Sequence, residues 1–274
     1  MSGPGAGGHG LNEARPNRTA SDPEHNHVIL WPEVMTSCLS MNSHPQLALG
    51  LALKDSARFN SFFPGQNLEA VQGLKQSAIG AGEPLVYVVG AAGMGKTHLL
   101  QAACHDAGQS GRTTSYLPLQ ELLAYTAIVF DDLEQLDLIC IDDVSAIAGH
   151  DDWERGLFDL FNRVRQGGGT LLIAGEKRPA QAGFLLPDLV SRLGWGLTYV
   201  LKPLADHEVI AALGCRAQAR GLALPDDTAQ YLLRRFPRDL PTLFALFDTL
   251  DTASLIAQRR LTVPFVKSVL DMPS

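Results

Sequence analysis

From residue 84 onward the chain alternates between two hydrophobic rhythms. Short apolar, β-branched runs with the character of buried strands stand at 84–89, 113–119, 136–143, 170–175 and 197–201. Between them lie segments with helical spacing. Residues 98–104 open one helix, 120–125 form a short second one, and 186–196 read as a short helix and turn. Trp153, Leu157, Leu160, Phe161 and Val164 recur at three- and four-residue steps, which predicts an amphipathic core helix closed by Gly167, Gly168 and Gly169. Strands alternating with helices in this way predict a parallel sheet covered on both faces.

After Asp206 the strand rhythm stops. Four helices are expected, over 206–220, 226–235, 240–257 and 263–271, with Asp206 and Asp226 as N-caps and Gly221 as a stop. Leu243, Leu246, Phe247 and Leu250 make the packing stripe of the third. The fold class that follows is α/β, a five-stranded parallel sheet with helices on both faces, followed by a small all-α bundle.

The front of the chain differs. Residues 1–27 are rich in Gly, Pro, Asn, His and Ser and hold almost no large apolar side chain, so they cannot drive their own folding. Residues 1–40 are either a disordered extension or sequence preceding a true start at Met41. Gln46 then leads an alternating run in which Leu47, Leu49 and Leu51 share one side of an extended peptide. Such a peptide fits a greasy groove on a partner, or serves as an edge strand. An aromatic, turn-bearing segment follows at 58–67, placed to line an adenine pocket or to pack down the helix expected over 68–79. The expected division is 1–40, a peptide and linker at 41–56, the α/β domain at 57–204 and the helical domain at 205–274.

The chemistry begins at Gly90-Ala91-Ala92-Gly93-Met94-Gly95-Lys96-Thr97, a full G-x-x-x-x-G-K-[ST] phosphate loop between a strand and a helix. Its glycines let backbone N–H groups wrap an anion, Lys96 can reach β and γ phosphates, and Thr97 offers a hydroxyl to Mg²⁺. The strand at 136–143 ends in two carboxylates. Asp142 is placed on the Mg²⁺ side of the phosphates and Asp143 where it can polarise an attacking water. An extra strand stands between the loop strand and this acidic strand, as in ATPases rather than the simpler kinases. Glu176 leaves the next strand at the same edge, a candidate γ-phosphate sensor or a solvated loop residue. ADP or ATP with Mg²⁺ is the expected cofactor.

A formal net charge of −7 argues against a broad nucleic-acid surface. The four cysteines are widely spaced and read as reduced thiols rather than metal or disulfide partners. No membrane span is expected, and the N-terminus lacks a signal-peptide core, so the expected compartment is the cytoplasm.

Residues 59–67, 90–98, 139–144 and the Ser-Arg-Leu-Gly-Trp-Gly segment at 191–196 resemble the DnaA-like AAA+ ATPase family, over roughly residues 57–271. The leading Q-L-x-L-x-L peptide, the motif at 261–267 and the end of the chain before any basic helix-turn-helix narrow the likeness to its Hda group of regulatory inactivators. The resemblance implies that Gly90 through His98 bind nucleotide and that Gln46, Leu47, Leu49 and Leu51 bind the DNA polymerase III sliding clamp. It implies that Arg192 is an arginine finger serving a neighbouring subunit, and that Arg238 is the lid arginine contacting nucleotide in cis. Glu176 stands where the family more often has a shorter acid, and Pro241 falls in the first turn of the following helix. The implied function is negative regulation of replication initiation: hydrolysis of DnaA-bound ATP promoted in trans, with DNA met through the clamp. A homo-oligomer is compatible with this. The alternatives are a DNA-remodelling ATPase such as a helicase loader, and a clamp-tethered adaptor without finger chemistry.

Overall fold

The computed structural model describes residues 53, 54 and 56–270. The peptide from Gln46 to Leu51, the 1–40 extension and Asp271 lie outside the described residues. Helix α1 (Leu68–Ala78) precedes strand β1 (Leu85–Val89), helix α2 (Lys96–Gln109), strand β2 (Thr114–Pro118) and a single helical turn, α3 (Leu119–Leu122). Strand β3 (Leu138–Asp142), helix α4 (Asp151–Gly167), strand β4 (Thr170–Gly175), helix α5 (Pro187–Leu193) and strand β5 (Leu197–Val200) complete the sheet layer. All pairings are parallel, in the order β2-β3-β4-β1-β5. In space, β4 fills the position between the loop strand β1 and the acidic strand β3.

Parallel strands buried on both faces need apolar side chains in both directions, and the sequence supplies them. Tyr87 and Val89 of β1, Ile139 and Ile141 of β3 and Ile173 of β4 point into one core with α4 and α5. Their neighbours Val86, Val88, Cys140, Leu172 and Ala174 point into the other, with α1 and α2. Cys104 joins Cys140 in this second core as a free buried thiol, whereas Cys215 is exposed. Strand β5 is an edge strand, with Leu197 and Val200 partly open to solvent.

Four helices follow: α6 (Asp206–Ala219), α7 (Asp226–Arg235), α8 (Leu240–Ala257) and α9 (Val263–Leu270). They close around Leu213, Leu232, Leu243, Phe247, Leu250 and Phe265, a core separate from the two that sandwich the sheet. By length and mean hydropathy α8 could cross a membrane. Here it is the central helix of this bundle, and its Asp248 and Asp251 pair with Arg216 of α6 and with Arg220, which caps that helix.

The expected caps are displaced by one residue. Asp206 and Asp226 are the first helical residues, and Ala205 and Pro225 hold the extended N-cap conformation. A carboxylate at the first helical position favours the positive helix end without accepting the capping bond. On α6 that task falls to Glu208, whose Oε2 accepts from Ala205 N at 2.8 Å. On α8 the cap is Asp239, accepting from Thr242 N at 2.9 Å, with Pro241 in the first turn as expected. Gly221 follows α6 at φ +72, a left-handed stop.

Candidate functional site

β1 runs out at Val89 and the chain turns through Gly90–Gly95 into α2, which starts at Lys96. Gly93 and Gly95 hold φ values of +78 and +88. The left-handed backbone favours glycine at both positions, and a Cβ on Gly95 would also stand 2.6 Å from Phe62 Cε2, whereas one on Gly93 would stand 3.3 Å from Pro241 Cδ, a tight contact. The loop is thereby clasped between the aromatic segment before α1 and the start of α8. Lys96 is buried, its Nζ donating to Gly90 O at 2.8 Å and Ala91 O at 3.1 Å. Ala91, Ala92 and the Thr97 side chain are exposed at the loop's outer face, with Met94 half-buried beneath.

Strand order brings the acids to this loop. Asp142 ends β3, is 1% exposed, and its Oδ2 accepts the Tyr116 hydroxyl at 2.8 Å while Oδ1 accepts Asp143 N at 3.0 Å. Burial first, and then the Asp142 charge, pushes the Tyr116 hydroxyl well above its ordinary value, so it stays a donor. Asp143 takes a left-handed turn (φ +50) and is half-buried. Burial, then the negative charges of Asp142, Glu176 and Glu121, raise its carboxyl pKa, with Lys96 opposing. Glu176 follows β4, is exposed, and acts on Asp143 through its charge.

A cleft of about 350 Å³ opens between the loop and the helical bundle. Gly93, Gly95, Lys96, Thr97 and His98 line it from the core, as do Phe62 and Phe63. Phe59 packs into the core beside α1 and α2, so the aromatic segment both lines the cleft and packs down α1. His98 Nε2 donates to Arg58 O at 2.8 Å, and its ring lies 5.5 Å from that of Phe62. Burial holds its pKa below the ordinary histidine value. Opposite stand Arg216, Pro241 and Phe244.

Two arginines singled out from the sequence lie elsewhere. Arg238 is exposed and pairs with Asp206 at 3.0 Å; it does not line the cleft, although the adjoining Asp239 and Pro241 approach Gly93. Arg192 sits in the last turn of α5, half-buried, 5.2 Å from the ring of Trp195, over which Arg165 also lies at 4.0 Å. Trp195 borders a small cavity with Leu85, at the amino-terminal end of β1, whereas Gly90 follows its carboxyl end. The length of a strand, about 16 Å, separates the two.

Sequence reading did not single out three further groups. Arg216 and Phe244 reach the cleft only because the bundle folds back on the loop. Glu154 is fully buried in α4, its Oε1 accepting from Gly149 N (2.8 Å) and Leu185 N (3.0 Å) and its Oε2 from Leu186 N (2.8 Å). It thus ties the loop after β3 to the segment that leads into α5.

A glycine loop on a helix N-terminus, an acid at the end of the strand two places away and a helical bundle over the cleft define an AAA+ P-loop ATPase fold with a lid. Residues 53–200 match the model of the bacterial DnaA ATPase domain, and residues 206–270 that of the Hda lid domain. The chain belongs to the bacterial DnaA ATPase-domain family and carries an Hda-type lid.

Solved structures agree on the fold. Domain III of the Thermotoga maritima replication initiation protein DnaA is 20% identical with a TM-score of 0.68, over 80% of this chain and 97% of that one. AMPPCP-bound DnaA from Aquifex aeolicus is 21% identical with a TM-score of 0.66, over 73% of this chain and 65% of that one. Thermotoga maritima RuvB is 14% identical with a TM-score of 0.60, over 78% of this chain and 71% of that one.

Proposed function

We propose that this protein is a cytoplasmic negative regulator of replication initiation that promotes hydrolysis of DnaA-bound ATP in trans. The observation that carries the reading is the position of Arg192. It does not line the cleft at its own phosphate loop and lies beside Trp195, which borders a cavity at the opposite end of β1, so it would serve another subunit's nucleotide better than its own. The family relation makes DnaA the natural partner. Contact with the sliding clamp through Gln46, Leu47, Leu49 and Leu51 belongs to the same proposal.

The cleft suits an adenine nucleotide, ADP or ATP. A side chain at Gly95 would collide with the Phe62 ring that lines the cleft, and Lys96 is already held at the loop by two carbonyls. Thr97 and Asp142 would hold Mg²⁺ together with phosphate oxygens and water, since Mg²⁺ takes few protein ligands. Each Asp142 oxygen accepts one hydrogen bond and keeps a lone pair for a cation. Bound Mg²⁺ would neutralise phosphate charge. Asp143 would accept a proton from water during slow hydrolysis of the protein's own ATP, and Glu176 adds negative field at that carboxylate.

The experiment is turnover of labelled ATP prebound to DnaA, with clamp-loaded DNA, in the presence of this protein or its Arg192→Ala variant. Acceleration by the unaltered protein alone supports the proposal. Equal acceleration by both leaves an adaptor without finger chemistry. No acceleration, with DNA-stimulated hydrolysis by the protein itself, identifies a remodelling ATPase.

A further inference from the structure

The phosphate loop does not account for the lid side of the cleft. Among the described residues that line it, Arg216 of α6 is the one charged side chain supplied by the lid. Its guanidinium carbon stands 4.5 Å from the centre of the Phe244 ring on α8. Its Nε and Nη2 donate to Asp248 at 3.3, 3.1 and 3.0 Å, while Nη1 makes none of these bonds. The group is therefore backed by an aromatic ring and fixed along one edge by a carboxylate.

That arrangement decides what Arg216 offers. Asp248 offsets its charge and holds its plane, so the cleft meets a flat, delocalised surface more than a mobile cation. A guanidinium in this setting stacks on π faces, which a lysine ammonium cannot do. From the core, Phe62 and His98 bring two more rings to the same cavity. Arg216 also faces His98 closely enough for its charge to act on the imidazole, although burial is the larger influence there.

We propose that Arg216 is the lid's contact for the planar base of the bound nucleotide, forming with Phe244 one wall of a base slot to which Phe62 and His98 contribute from the core. The inference rests on the adenine-nucleotide reading of the cleft. It assigns the lid's direct contact to Arg216, whereas Arg238 makes an exposed pair with Asp206 outside the lining.

The test is calorimetric titration of the whole chain with ADP and, separately, with inorganic pyrophosphate, which has no base. Arg216→Ala is expected to weaken ADP binding about tenfold, equivalent to about 1.4 kcal/mol, and to leave pyrophosphate binding unchanged. Arg216→Lys keeps the charge and can still pair with Asp248, so it guards against loss of folding; it is expected to bind ADP as weakly as the alanine variant. Asp248→Asn removes the carboxylate charge and leaves only the bonds to one oxygen, which loosens the guanidinium's plane, and is expected to weaken ADP binding as well. Restoration by lysine, equal losses for ADP and pyrophosphate, or tighter ADP binding by Asp248→Asn would each mean that Arg216 acts on phosphates, and would overturn the proposal. Unchanged ADP affinity in Arg216→Ala overturns it too. Failure of the unaltered protein to bind ADP or ATP instead removes the nucleotide reading beneath it.

Discussion

Tyr116 donates its hydroxyl hydrogen to Asp142 Oδ2 at 2.8 Å, joining the outermost strand β2 to the acidic end of β3. The bond is charge-assisted, and burial keeps the phenol protonated, so the carboxylate has a fixed direction. Its other oxygen takes the Asp143 N–H, which holds the left-handed turn at the same edge.

Tyr116→Phe should therefore leave the fold intact and loosen Asp142. A hydrogen bond to a charged acceptor contributes about 1.5–3 kcal/mol, so the Mg²⁺-dependent part of ATP affinity should fall by roughly tenfold or more. Titration with ATP in the presence of Mg²⁺ and of a chelator separates that part from the rest. A loss of equal size in both conditions would mean that Tyr116 supports the loop generally, not the acid.

Glu154 is a stability prediction. Its two oxygens accept three backbone N–H groups from two loops, and the residue is fully buried. Glu154→Ala should cost about 2 kcal/mol, which lowers the unfolding midpoint by roughly 5 °C. Glu154→Gln can keep the two bonds to one oxygen and should lose about half as much. Thermal unfolding of both variants checks the order. Because Leu185 and Leu186 lead into α5, trans activation through Arg192 should fall further than stability alone explains.

The sheet was legible because its strands are buried on both faces and so are written as continuous apolar runs. The phosphate loop and the Asp142–Asp143 pair were legible because their spacing is fixed within single loops. The helix caps were misplaced because one residue separates N-cap from first turn, and only the backbone angles at Ala205 and Pro225 distinguish them. Tyr116 was hidden because its partner is set by register between strands, where Tyr116 lies opposite Cys140 and reaches past it to Asp142. Arg216 was hidden for a larger reason: no local pattern tells which arginine of a helical bundle faces a loop more than a hundred residues earlier.

Asp143 makes stability depend on pH in a stated direction. Burial and neighbouring acids raise its folded-state pKa above that of the unfolded chain, so its contribution is most favourable below the ordinary carboxylate range and is lost as pH rises through the raised value. Ionised Asp143 is thus a cost at neutral pH. Asp143→Asn should raise the unfolding temperature at pH 7, and the gain should shrink as pH falls toward 4. A gain that stayed constant from pH 7 to 4 would remove ionisation as its cause.

Trp195 bears on the arginine that the proposed function depends on most. The Arg192 guanidinium lies 5.2 Å from its ring, and the ring is itself 58% exposed, so the contact orders a side chain that water would otherwise leave free. An exposed cation–π contact contributes about 0.5–1 kcal/mol, so Trp195→Ala should slow DnaA-bound ATP turnover about two- to fivefold, and Trp195→Phe should recover part of the loss. ADP affinity should not change, because Trp195 does not line the cleft. In an Arg192→Ala background the tryptophan change should have no further effect, since the ring acts through the guanidinium. An additional loss in the double variant would show that Trp195 meets the partner directly.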